Sequence, residues 1–163
     1  MRRVDKLISL SALFVLVSVS LIGLGMATGG SSVGGREAKS AANGPQPVDD
    51  DMHHFMEYVF EPNYKRLKDG MANAPEDKKA WKAIKGDVLT LAECANLLLM
   101  RVPDDDADTW RKLSVAVRMH GGELYQAARQ SDYATARKAY VSMLNNCNSC
   151  HKQFADGKHQ LAP

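Results

Sequence analysis

Residues 132–154 read Asp-Tyr-Ala-Thr-Ala-Arg-Lys-Ala-Tyr-Val-Ser-Met-Leu-Asn-Asn-Cys-Asn-Ser-Cys-His-Lys-Gln-Phe. Advanced at roughly 100° per residue, the side chains of Tyr133, Ala136, Tyr140, Met143, Leu144, Cys147, Cys150, His151 and Phe154 fall within an arc of roughly 120°. That pattern predicts a helix that opens at Ser131 or Asp132 and reaches about Ala155. Residues three and four apart are neighbours on a helix, so both thiols and the imidazole project to one side. They lie on the buried stripe and not in a loop.

Working back toward the N-terminus, the same period recurs. A helix is expected after the acidic run Asp104 to Asp108, which puts negative charge at the positive end of the helix dipole, with Trp110, Leu113, Val117, Leu124 and Ala128 as its stripe. Gly121 and Gly122 interrupt it. Each glycine costs about 1 kcal/mol against alanine, so the pair suggests a bend, the simpler reading, or a close approach of backbone to something bulky. Before it, Pro75, Glu76 and Asp77 fit a first turn, and Trp81, Ile84, Val88, Ala92, Ala95 and Leu99 form a stripe that Pro103 ends. The first helix is expected to start at the acidic cap Asp49 to Asp51 and to run through Met52, Phe55, Met56 and Val59, with Pro62 kinking or interrupting it before the segment Tyr64 to Met71. Four amphipathic helices with short connections predict an all-α fold, an antiparallel four-helix bundle.

Upstream of the bundle the character of the chain changes. Residues 28–48 are rich in Gly, Ser, Ala, Asn and Pro and cannot pack a core, so they read as a flexible linker ahead of a domain at residues 49–163. Residues 1–27 begin Met-Arg-Arg-Val-Asp-Lys and carry no charge from Leu7 to Ala27, which is the pattern of a signal peptide. Gly25 and Ala27 suit a cleavage site, yet the uncharged stretch is also long enough for a retained anchor. Both options stand, and the expected location is periplasmic or exported, with residues 7–27 as the anchor where it is kept. Removing the leader leaves 18 Lys and Arg against 18 Asp and Glu. A neutral domain supports neither a nucleic-acid footprint nor a polybasic membrane patch, so membrane contact is expected only through a retained N-terminal segment.

The run Cys147-Asn-Ser-Cys150-His151 carries the chemistry. Attachment of a c-type haem needs two thiols spaced to meet the two vinyl groups of the porphyrin and an imidazole beside the second thiol to reach the iron; Cys147, Cys150 and His151 supply that set. A disulfide or redox dithiol would need neither the histidine nor an apolar helix around it, and a zinc site would need a fourth ligand. One covalent haem c is therefore expected on the C-terminal helix. The third cysteine, Cys94, needs no partner and reads as a small, half-buried apolar residue.

On these residues the chain resembles the class II c-type cytochromes, the cytochrome c-prime and cytochrome c-556 group, over about residues 49–154. Members are four-helix bundles with the attachment motif on the last helix, and Cys147 to His151 followed by Phe154 matches that motif. Many members place an arginine directly after the aromatic residue, where this chain has Ala155. The resemblance also implies that the first helix meets the face of the iron opposite His151, a methionine there making an electron carrier and an apolar residue leaving a gas-binding site.

Met52, His53, His54 and Met56 are the candidates on that helix. With Met52 at zero, Met56 lies at roughly 40°, Val59 at roughly 340°, Leu67 at roughly 60° and Phe60 at roughly 80°. The buried face is centred near Met56, with His53 at its edge and His54 outside it. The sixth iron ligand is thus Met56, Met52 or His53, or the site is open, with Met56 the central choice. A methionine on an apolar stripe is otherwise core filling. His120 reads as a partly buried histidine with its own partner, and His159 as a solvated residue of the polar tail.

One-electron transfer through a six-coordinate haem, to and from a redox partner protein, is the leading expectation. Binding of nitric oxide or carbon monoxide at a five-coordinate iron is the alternative. No enzyme is expected, because a peroxidase site would want a distal His and Arg that this chain does not offer at identifiable positions. A homodimer is compatible with the pattern.

Overall fold

Pro62 shows how local chemistry shapes the first arm of this fold. In a computed structural model, which describes residues 44–163, the chain enters α1 (Met52–Phe55), widens into a π-helical turn (Met56–Phe60) and continues without a break into α2 (Glu61–Met71). Pro62 has no N–H to donate and its ring crowds the preceding turn. The wider turn takes up that mismatch just upstream, and the Asn63 side-chain amide donates to the Val59 carbonyl at 2.6 Å. The expected interruption is therefore a change of helical register, with Pro62 in the first turn of α2.

Three further helices follow: α3 (Lys78–Leu98), α4 (Ala107–Arg129) and α5 (Tyr133–Phe154). Capping sets three of the four starts. Asp51 accepts from the His53 amide at 2.7 Å, Asp77 from Ala80 at 2.7 Å and Asp132 from Thr135 at 3.1 Å. Asp77 is thus the cap of α3, and Pro75 and Glu76 precede the helix where a first turn was expected. The start of α4 differs, because Asp106 adopts a left-handed conformation and makes no side-chain cap bond.

Contacts between neighbours run in opposite order along each pair of helices. Arg66 reaches Asp87 at 2.7 Å and Gly70 lies against Ile84, which sets α2 antiparallel to α3. The Trp110 indole donates to the Leu98 carbonyl at 2.8 Å while Gly121 lies against Ala92, which does the same for α3 and α4. Gly121 also neighbours Met143, and Trp110 meets Phe154 edge-on at 5.0 Å, so α5 returns along α4. The first arm and the last helix lie beside each other too, joined by a 2.9 Å bond from the Tyr133 hydroxyl to the Met71 carbonyl. The result is an all-α, antiparallel four-helix bundle within one compact unit, Asn43–Pro163, with no strand among the described residues.

Helix α4 runs through Gly121 and Gly122 without interruption. The two glycines have different roles. A Cβ on Gly121 would stand 2.9 Å from the Ala92 Cβ and 3.3 Å from its Cα, so this glycine lets α3 and α4 approach closely. Nothing lies within 4 Å of the corresponding position on Gly122.

The main core gathers Leu67, Met71, Trp81, Ile84, Val88, Leu124, Tyr140 and Met143. A second cluster forms at the other end around Phe55, Leu98, Trp110 and Cys150. The predicted leader, residues 1–27, and most of the linker at 28–48 lie outside the described residues. Among the described residues no helix is long and apolar enough to cross a membrane.

Candidate functional site

The first arm packs along α3, but its backbone makes almost no close approach to α5. Between them lies a cavity of about 670 Å³, inside the range of roughly 300–1,000 Å³ typical of small-molecule and cofactor sites. Its walls are largely apolar. Leu91 and Leu98 of α3, Leu113 and Val117 of α4, and Met143, Leu144 and Phe154 of α5 line it, with Phe60 and Tyr64 from the first arm.

Cys147, Cys150 and His151 all face this cavity. They are there because the 3.6-residue period carries the buried stripe of α5 past Tyr140, Met143 and Leu144 directly into the motif. Both cysteines are free thiols. Burial, reinforced by the neighbouring Cys150, pushes the Cys147 thiol up to about 12, and burial pushes Cys150 up to about 11. The pair is therefore held protonated near neutral pH. Burial also draws the His151 pKa below its ordinary 6.5, opposed in part by a hydrogen bond to the His159 carbonyl. That bond measures 2.8 Å from Nδ1. A carbonyl can only accept, so Nδ1 carries the proton and Nε2 is left with a free lone pair.

Opposite this set the first arm contributes Met52, His53, Met56 and Glu57. Met52 and Met56 are half-buried and pack with Phe55 and Trp110 in the second cluster. The His53 side chain is 69% exposed and sits 3.5 Å from the Glu57 carboxylate, so it borders the cavity from its rim. His54 lies outside it, bonded to Asp49 at 2.9 Å, and that carboxylate raises its pKa.

Of the other residues singled out by pattern, Cys94 and His120 stand apart from the cavity. Cys94 is half-buried beside the second cluster, where burial raises its thiol pKa. His120 is partly buried and lies 2.9 Å from Glu123. Ala155 lines the cavity at the end of α5.

His159 is exposed, as expected of the polar tail, but the tail is bonded to the helices rather than free. The His159 carbonyl binds His151, and His159, Gln160 and Leu161 form part of the cavity wall. The tail is fastened by Asn148 and Tyr64, neither of which pattern reasoning singled out. Its traces in the sequence are slight: Gly157 where the chain reverses, and Leu161 as the single large apolar residue of the last seven.

The arrangement can enclose a flat apolar group, anchor it through two adjacent thiols and present one imidazole nitrogen to a metal that the group itself brings. Among the described residues no cluster of three or more His, Cys, Asp or Glu side chains is placed to hold a metal ion unaided. No protein-family model matches the sequence, and no curated protein matches it.

Proposed function

We propose that this chain is an exported class II c-type cytochrome that holds one haem c through Cys147 and Cys150, ligates its iron with His151, and passes single electrons to and from a redox partner protein. One observation carries this reading: the thiols and imidazole of the motif open onto the same apolar cavity as Met52 and Met56, from the opposite end of the sequence. A dithiol or a disulfide would need no such cavity, and a zinc site would need a further donor that no cluster among the described residues supplies.

The residues fit the group. Haem supplies a one-electron iron couple when bound, and the chain supplies the rest. Cys147 and Cys150 fix its position at one edge. His151, already in the Nδ1–H form, offers Nε2. Leu91, Leu98, Leu113 and Val117 make the surrounding wall apolar, which would help to tune the potential of a bound haem. Met56, on the facing wall, would supply a second protein ligand to the iron.

The absorption spectrum of protein made with a cytochrome c maturation system tests the reading. A low-spin spectrum with a methionine–iron band is expected in the oxidised form. A high-spin spectrum would move the function to gas binding at an open iron.

A further inference from the structure

After Phe154 the chain turns back on itself. Asp156, Gly157 and His159 all have positive φ, at 52°, 71° and 57°, and this reversal lays the last residues along α5 toward the first arm. Three attachments hold them there. The His159 carbonyl takes the His151 Nδ1 proton at 2.8 Å. Asn148, between the two cysteines, bonds Leu161 twice, donating to its carbonyl at 2.9 Å and accepting from its amide at 2.7 Å. The Tyr64 hydroxyl donates to the Ala162 carbonyl at 2.8 Å and accepts from the Ala162 amide at 3.1 Å. Leu161 packs its side chain against the main core.

We infer that the C-terminal segment is a positioning strap for His151, holding its imidazole in the Nδ1–H form so that Nε2 is the nitrogen free to ligate, and that Asn148 and Tyr64 are the positioning residues that keep the strap in place. The inference rests on the proposed role of His151 as an iron ligand. An imidazole in water shares its proton between both nitrogens, whereas a fixed carbonyl 2.8 Å from Nδ1 selects one form and restricts the ring's rotation. Donation from Nδ1–H also makes Nε2 the more basic ligand, which favours the oxidised iron. The strap ties that ligand to the first arm, since Tyr64 lies on α2 and His151 on α5.

The test compares the full chain, Tyr64→Phe, and a chain ending at Gly157, all haem-loaded. Solvent exchange of the His151 Nδ1 proton, followed by NMR, should become at least tenfold faster in both variants, most in the truncated one. The reduction potential of the haem-bound fraction should rise in the same order. Equal exchange and equal potentials in all three would overturn the strap. Should the full chain carry no covalent haem, the His151 ligand role falls, and nitrogen NMR of the haem-free proteins still decides the strap: Nδ1–H in the full chain and a mixture in the truncated one supports it, and one distribution throughout overturns it.

Discussion

Met52 and Met56 stand one helical turn apart and face the same cavity, so the proposed ligand role rests on which thioether has the better reach. Met56 opens the π-helical turn next to Phe55, the buried residue of α1, and like Met52 it is half-buried on the cavity wall, so its central place in the stripe is an expectation of the sequence pattern. Met56→Ala should turn a low-spin ferric spectrum toward high spin and let carbon monoxide bind the ferrous form readily, at a stability cost of about 2 kcal/mol or less for a half-buried methionine. An unchanged spectrum in Met56→Ala, beside a changed one in Met52→Ala or His53→Ala, would transfer the role. The thiols make a separate prediction for the haem-free chain. Cys147 and Cys150 release their protons near 9.0 when unfolded and only toward about 12 and about 11 when folded. A raised folded pKa leaves the thiol contribution whole below the unfolded value and removes it as pH climbs through the folded ones. Denaturant unfolding should show stability falling above pH about 9, and falling less in the Cys147→Ala, Cys150→Ala double variant. Tyr140 adds a slope of the same sign in both, since burial raises its pKa as well. Equal slopes in parent and double variant would contradict the placement of the thiols.

At the scale of the helices, the glycine pair separates two effects that sequence alone leaves joined. Gly121→Ala must push its new Cβ into Ala92 across the α3–α4 contact, and backbone on both sides gives little room to relax. It should lower stability by about 1–3 kcal/mol. Gly122→Ala meets nothing within 4 Å and should raise it by roughly 0.5–1 kcal/mol through helix propensity. Thermal unfolding of the two variants checks both signs, and a destabilised Gly122→Ala would show that its surroundings have been misjudged. The stripes of α3, α4 and α5 were legible in the sequence because apolar residues such as Ile84, Val88, Val117, Leu124 and Met143 recur at the helical period and are all buried. The choice between Leu98 and Leu99 was not: Leu98 is the buried one, and Leu99 is the half-buried cap. The π-helical turn also escaped, since it is a backbone hydrogen-bond response to Pro62 and leaves no mark in side-chain pattern. Nor could the pattern say which glycine faced a neighbour, because that depends on the helix packed opposite.

For the molecule as a whole, the candidate site is where the two ends of the domain meet. The motif on α5 could be read from its own spacing, and so could the methionines of the first arm. Their convergence on one cavity depends on the antiparallel order of four helices and on the room left between the first and the last. The tail was the least legible part. A short polar segment has no period, and its place is set by bonds from Asn148, Tyr64 and His151 that only the fold brings within reach. Covalent haem is the claim on which the account depends, and intact mass after expression with a cytochrome c maturation system tests it most directly. The account predicts a mass equal to the polypeptide plus one haem, resistant to acid and organic solvent, retained in Cys94→Ala and lost in the Cys147→Ala, Cys150→Ala double variant. A mass equal to the bare polypeptide, with both motif thiols still free, would contradict it.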